Sequence, residues 1–149
     1  MIAAPFGRIG IKVTQGRLAG IGLVTARTKL SSPTDTLTRD VCRQLSAYFS
    51  NPRHLFTVPL ILEGTPFQTR VWQELRRIKP GAVRRYADIA DRLGSGARAV
   101  GGACRRNPVP IVVPCHRVVS RSGLGGYMGK VSGAALGMKQ WLLAHERAG

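Results

Sequence analysis

The stretch Ile111-Val112-Val113-Pro114-Cys115-His116-Arg117-Val118-Val119 constrains this chain more than any other. A β-branched run favours extended, buried backbone, and Pro114, which has no N–H, interrupts a hydrogen-bonded ladder just before Cys115. The sequence therefore predicts a buried strand over 111–113 that delivers a thiol to the edge of a core. The adjacent imidazole can take its proton. Thiolate is the nucleophilic form, and a neighbouring histidine or cation lowers a thiol's pKa. Cys115 and His116 are thus the candidate nucleophile and base, against the plainer alternative of a small cysteine filling a strand end.

Composition narrows the partner. The chain carries 23 Lys and Arg against 7 Asp and Glu, a formal net charge of +16, and more of that excess falls after residue 60 than before it. Such a balance favours a polyanion through counterion release and steering, with nucleic acid ahead of an anionic membrane surface. No run of about 18 apolar residues is present, so no membrane span is expected. The first residues lack the blocks of a signal peptide, so the expected location is the cytoplasm (nucleoid-associated) or the nucleus. Cys42, Cys104 and Cys115 have neither metal-ligand spacing nor the even count of a disulfide framework.

Hydrophobic alternation over 7–25, with a turn at Gln15-Gly16, predicts a β-hairpin. Leu37, Val41, Leu45 and Phe49 predict a helix over 35–49, and 56–62 reads as a further strand. A boundary near Glu63-Gly64-Thr65 divides an N-terminal support lobe, 1–62, from a C-terminal domain, 63–149. Thr65 caps a helix with Pro66 in its first turn and Phe67, Val71, Leu75 and Ile78 as its stripe. Two short helices, 86–93 and 97–105, then flank Gly94-Ser95-Gly96 at helix-turn-helix spacing. The second presents Ala97, Ala99, Gly101, Gly102 and Ala103 with Arg98 and Arg105. Paired glycines weaken a helix by about 1 kcal/mol each relative to alanine. Close approach to a nucleic-acid groove accounts for them, and for the arginines, better than packing inside the domain. A Gly-rich loop over 120–127 lacks the pattern of a phosphate-binding loop, and a last helix starts at Ser132.

Pro114-Cys115-His116-Arg117-Val118, followed by Gly125-Gly126-Tyr127 and preceded by Glu63-Gly64-Thr65-Pro66-Phe67-Gln68 and Val71-Trp72, resembles the O6-alkylguanine-DNA alkyltransferase family over about residues 63–146. The resemblance implies an α/β (α+β) protein. A small N-terminal α/β lobe with a β-hairpin precedes a mainly helical, winged-helix-like helix-turn-helix domain carrying the reactive cysteine. It implies Cys115 as alkyl acceptor, His116 as its base through a water, Glu146 as the acid holding the imidazole, and Asn107 as a tie for the reactive strand. It also implies Arg98 filling the gap left by an extruded nucleotide, Tyr86 helping to rotate it, and Ala97, Ala99, Gly101 and Arg105 on the DNA. Backbone around Val118, Tyr127 and Met128 would line the guanine pocket, with Pro110 as one wall.

The activity so implied is single-turnover transfer of an alkyl group from O6-alkylguanine in double-stranded DNA to Cys115. It would be carried out by a monomer with no metal or organic cofactor. The same Cys, His and acid could serve a cysteine hydrolase, in which water cleaves a thioester; attack on an alkyl carbon leaves a thioether that water does not cleave. The basic helix-turn-helix favours DNA over a peptide substrate. A DNA-binding protein that marks lesions without repairing them is the other alternative, and Cys115 argues against it. Met128 departs from the small or hydroxylated residue usual in the family, leaving only backbone N–H for the O6 atom. Lys79-Pro80-Gly81 replaces the usual Pro-aromatic-Gly. Cys104, on the second helix, reads as a small packing residue ahead of the alternative, a second alkylation or oxidation target.

Overall fold

A computed structural model describes residues 2–5, 7–24, 35–121, 123–127 and 133–148. The alternating N-terminal segment forms strands β2 (Gly7–Thr14) and β3 (Arg17–Val24). They are joined through Gln15 (φ 51°) and Gly16 (φ 72°), two successive left-handed residues whose twist suits a tight hairpin. A further strand, β1 (Ile2–Ala4), pairs antiparallel with β2 and completes a three-stranded sheet in the order β1-β2-β3. Ile9 and Leu18 on this sheet are fully buried, and Ile21 nearly so.

Helix α1 (Thr36–Ser50) covers the sheet, capped by Asp35, whose carboxylate accepts from Thr38 N at 2.8 Å. Its deepest stripe is Val41, Gln44, Leu45 and Tyr48; Phe49, expected inside, is half-buried beside it. The segment 56–62 is extended but is not the expected strand. It makes one bridge to β3, with Leu18 N donating to Pro59 O (2.8 Å) and Ile61 N to Leu18 O (3.0 Å). Pro59 has no N–H to continue the ladder.

In the C-terminal half, α2 (Pro66–Leu75) opens with a complete capping box: Thr65 and Gln68 exchange side-chain-to-backbone bonds. Strand β4 (Arg84–Arg85) leads into α3 (Tyr86–Leu93), a left-handed Gly94 ends it, and α4 (Ala97–Arg105) follows. On α3, Ile89 and Ala90 are buried, Leu93 is half-buried and Ala87 is exposed. Trp72 Nε1 donates to Ala103 O at 2.9 Å and pins α2 to α4. Strand β5 (Val118–Val119) pairs parallel with β4, and α5 (Ala134–Ala148) packs behind it. This is a mixed α/β molecule with an N-terminal hairpin and a mostly helical C-terminal region. Among the described residues no helix is long and apolar enough to cross a membrane, and no cluster of side chains could hold a metal ion.

Candidate active site and nucleic-acid face

Residues 111–113 are buried as the apolar run requires, yet they form no strand. Pro108, Pro110 and Pro114 remove the donors that a ladder needs, and the chain turns instead: Val113 N donates to Val109 O at 2.9 Å, and Ile111 takes φ 75°. That angle is a genuine outlier for a β-branched residue. Asn107 holds the turn from inside, its Nδ2 donating to Val113 O (2.8 Å) and its Oδ1 accepting from Val109 N (3.0 Å). Cys115–Arg117 then forms one 3-10 turn, entered by Cys115 N donating to Val113 O at 2.8 Å.

In so tight a turn successive side chains point in different directions, and Cys115 makes no direct hydrogen bond to His116. The imidazole faces α5, where its Nε2 lies 2.8 Å from Glu146 Oε2. Glu146 also receives Arg117 as a fork, Nε to Oε1 and Nη2 to Oε2, each 2.9 Å, while Arg117 Nη1 donates to Ile78 O. Burial pushes the Glu146 carboxyl up, but the hydrogen bonds from His116 and Arg117 prevail and hold it well below the usual carboxylate range. Burial lowers the His116 pKa against the pull of Glu146, so the ring is neutral at pH 7 and the ion pair with Glu146 is that of Arg117. A neutral imidazole donating from Nε2 leaves its lone pair on Nδ1. Nδ1 is buried and has no partner among the described residues.

The expectation that a neighbouring histidine lowers the thiol pKa is overturned. Cys115 is 5% exposed, and burial pushes its thiol up to about 11, with Asn107 and then Lys139 opposing part of the rise. The resting group is a thiol. Lys139, which the sequence reading passed over, is fully buried on α5 and donates to Val118 O (2.7 Å), Gly126 O (2.9 Å) and Leu124 O. Burial lowers its pKa to about 8, the neighbouring Cys115 and Cys104 pulling the other way. The signal was available: Lys139 lies on the buried stripe of α5 with Met138, Leu142 and Glu146. Arg117 and Tyr48, the latter donating to Glu146 Oε2 at 2.6 Å, carried no such signal.

The structure brings Tyr86 to the same place. Its ring is half-buried, lies 5.9 Å from Lys139 Nζ, and approaches Gly125 so closely that a Cβ there would sit 3.0 Å from Tyr86 Cε2. Gly125 is left-handed as well (φ 72°), so both space and backbone demand glycine. Burial pushes the Tyr86 phenol up to about 12, followed by the effects of Cys104 and Cys115. Tyr86 also lines an open cleft of about 400 Å³ with Arg85, Ala87, Asp88, Ala97, Ser120 and Arg121. Cys115 is not in the wall of that cleft; Tyr86 is the residue common to both.

Along α4 the inward residues are Val100, Ala103 and Cys104, whereas Ala97, Arg98, Ala99, Gly102 and Arg105 are exposed and Gly101 is half-buried. A Cβ added at Gly102 would meet nothing within 4 Å. Nothing among the described residues requires glycine there, which argues against an internal-packing explanation for that position. Cys104 packs inward with its thiol pushed up to about 12 by burial, then by Cys115.

Pro110, Val118 and Tyr127 are buried near the reactive turn. The Val118 carbonyl expected in the guanine pocket already accepts from Lys139. The Tyr127 hydroxyl has no partner among the described residues, and burial, then the nearby Cys115, pushes its pKa well above the ordinary value. Met128 and Ser132 lie outside the described residues.

Residues 66–148 match the family model for the DNA-binding domain of 6-O-methylguanine DNA methyltransferase. The constitutive methylated-DNA–protein-cysteine methyltransferase of Bacillus subtilis is 49% identical over 108 residues, covering 70% of this chain and 63% of that protein, so the chain spans less than two thirds of this relative. The Methanosarcina acetivorans protein of the same name is 37% identical over 152 residues, covering 96% of this chain and 94% of its own. In three dimensions the chain superposes on a Mycobacterium tuberculosis O6-methylguanine methyltransferase with a TM-score of 0.83 at 36% identity, covering 99% of this chain and 90% of the other. It superposes equally well, TM-score 0.83 at 37% identity over 99% and 91% of the two chains, on the M. tuberculosis OGT in complex with DNA. With a family model matching more than half of its length and a full-length relative above a third identical, the chain belongs to the methylated-DNA–protein-cysteine methyltransferase family.

Proposed function

We propose that this protein repairs DNA by direct reversal, moving the alkyl group of an O6-alkylguanine in duplex DNA irreversibly onto Cys115. The observation that carries the reading is the orientation of His116. Its Nε2 is committed to an ionised Glu146, and its Nδ1, buried and unpartnered, is turned away from that carboxylate. One water between Nδ1 and the sulfur completes a path for the thiol proton. That path is needed, because a thiol with a pKa of about 11 is almost wholly protonated at neutral pH. The alkyl carbon leaves O6 for sulfur, the electron pair of the broken C–O bond goes to the guanine, and the proton handed to His116 balances the charge on the departing base. The S–C bond is a thioether, so the protein acts once.

The target atom of a stacked guanine is beyond the reach of a buried thiol, so the nucleotide must leave the helix. Exposed small residues on α4 support its approach to the minor groove, with Arg98, exposed in its first turn, as the residue that enters the duplex. Tyr86, shared by the cleft and the Cys115 surroundings, supports a role in turning the base inward. The lesion-marking and hydrolase alternatives are not favoured by the family relatives, which are named for methyl transfer to cysteine.

The test is a mass spectrum after incubation with duplex DNA holding one O6-methylguanine. The expected result is one added methyl on the peptide containing Cys115, in proportion to the lesion. An unchanged mass with tight binding would leave only a lesion marker.

A further inference from the structure

Glu146 Oε2 accepts hydrogen bonds from elements of both halves of the molecule. His116 Nε2 is 2.8 Å away and Arg117 Nη2 2.9 Å away, both on the 3-10 turn; the third donor, at 2.6 Å, is the hydroxyl of Tyr48 on α1. Tyr48 is fully buried. Its ring packs on Phe49, Phe56 and His145 at centroid distances of 5.8, 5.6 and 5.2 Å, and its carbonyl lies 2.7 Å from His145 Nε2, one residue before Glu146. The residue is thus fixed at both ends, by its backbone to α5 and by its hydroxyl to the carboxylate. Burial, then the Glu146 charge, pushes the phenol well above its ordinary value, so it remains a donor throughout the working range of pH.

We propose that Tyr48 is a positioning residue for the His116–Glu146 relay, through which the N-terminal lobe sets how strongly Glu146 draws on the imidazole. The physical argument is competition. Each donor on Oε2 withdraws part of the negative charge that stabilises the protonated ring, so the Tyr48 hydroxyl makes His116 a weaker base than Glu146 alone would. The other charged or titratable groups around the ring are Arg117 on its own turn and Lys139 on α5, with Cys115 and Tyr127 nearby. Of these, Arg117 and Tyr127 also interact with Tyr48, but each keeps its place and its charge state when the hydroxyl is removed.

The kinetic arm of the test rests on the alkyl-transfer reading; the spectroscopic arm does not. Tyr48→Phe keeps the ring and deletes only the donor. In single-turnover transfer measured against pH, its acid limb is expected to move up by about 0.5–1 pH unit, the size of losing one hydrogen bond to a charged form. The plateau should stay within about threefold, as Arg117 still holds Glu146 by its fork. In the NMR spectrum the His116 Nε2–H proton is expected further downfield than in the unmodified protein. Phe56→Leu, which loosens the packing of the same ring, should lower the melting temperature and leave the acid limb in place.

An unmoved limb together with an unmoved Nε2–H resonance would overturn the proposal, as would an equal shift in Phe56→Leu. Should Tyr48→Phe fail to fold, the unmodified protein still decides the matter. A slowly exchanging Tyr48 hydroxyl proton with a nuclear Overhauser contact to His116 Nε2–H is required, and its absence refutes the assignment. If the unmodified protein gains no alkyl group at all, the transfer reading falls while the NMR arm still judges Tyr48.

Discussion

The reactive turn and helix α4 are neighbours in the chain and are built on opposite rules. From 107 to 118 nearly every polar group is committed: Asn107 to Val109 and Val113, Arg117 and His116 to Glu146, the Val118 carbonyl to Lys139. Cys115, His116 and Arg117 are all buried. Helix α4, by contrast, turns only Val100, Ala103 and Cys104 inward and leaves small residues and arginines to solvent. Chemistry here needs a dry, fixed constellation, and binding needs an approachable one. Keeping the two on separate elements lets each be altered without the other, and that separation can be tested.

The largest effect is expected at the sulfur. Cys115→Ala should abolish alkyl transfer completely, read as loss of the mass gain, while duplex affinity stays within about twofold because the exposed contacts are on α4. Loss of binding as well would break the separation. Next comes Glu146→Gln, which leaves the Arg117 charge uncompensated in a buried site. It should cost about 3–5 kcal/mol of stability by urea denaturation, and a cost below about 1 kcal/mol would contradict the relay's burial.

Arg98→Ala should slow repair of duplex DNA by about 10–100-fold, the scale of the unstacking energy it would otherwise offset. Reaction with a free modified guanine should be nearly unchanged. Equal slowing of both substrates would place Arg98 in the chemical half.

A smaller effect concerns pH. The folded His116 pKa lies below the ordinary 6.5, so below that value the unfolded chain binds a proton that the folded one refuses. Stability is therefore present above pH 6.5 and is lost as pH falls. Glu146, also depressed, adds its own loss below the ordinary carboxylate value of 4.5. Melting temperature against pH should show the first decline, and His116→Gln should remove it.

The smallest change is Gly102→Ala. With nothing within 4 Å of the new methyl, it should raise stability by about 0.5–1 kcal/mol. A destabilised variant would mean that the face is not open.

Local signals were the legible ones. The Thr65 cap, the Gln15-Gly16 turn and the helix-turn-helix spacing are interactions within a few residues, and the sequence places each within a residue or two of its observed position. Family motifs pointed to Cys115, His116 and Glu146, and the structure brings His116 and Glu146 into contact. What the sequence misread depended on competition: three prolines against β-branching at 111–113, and burial against a neighbouring imidazole at Cys115. What it passed over depends on distance. Tyr48 meets Glu146 across 98 positions, and no local pattern encodes that pair.

The left-handed Ile111 carries one more consequence. A conformation costing on the order of 1–3 kcal/mol persists only where its surroundings insist on it, and here a buried side chain and the proline-framed turn do so. The nucleophile thus stands at the end of a loaded hinge. A glycine at 111 would find the same angle comfortable, and in accepting it freely would surrender the stiffness that returns the thiol to one spot.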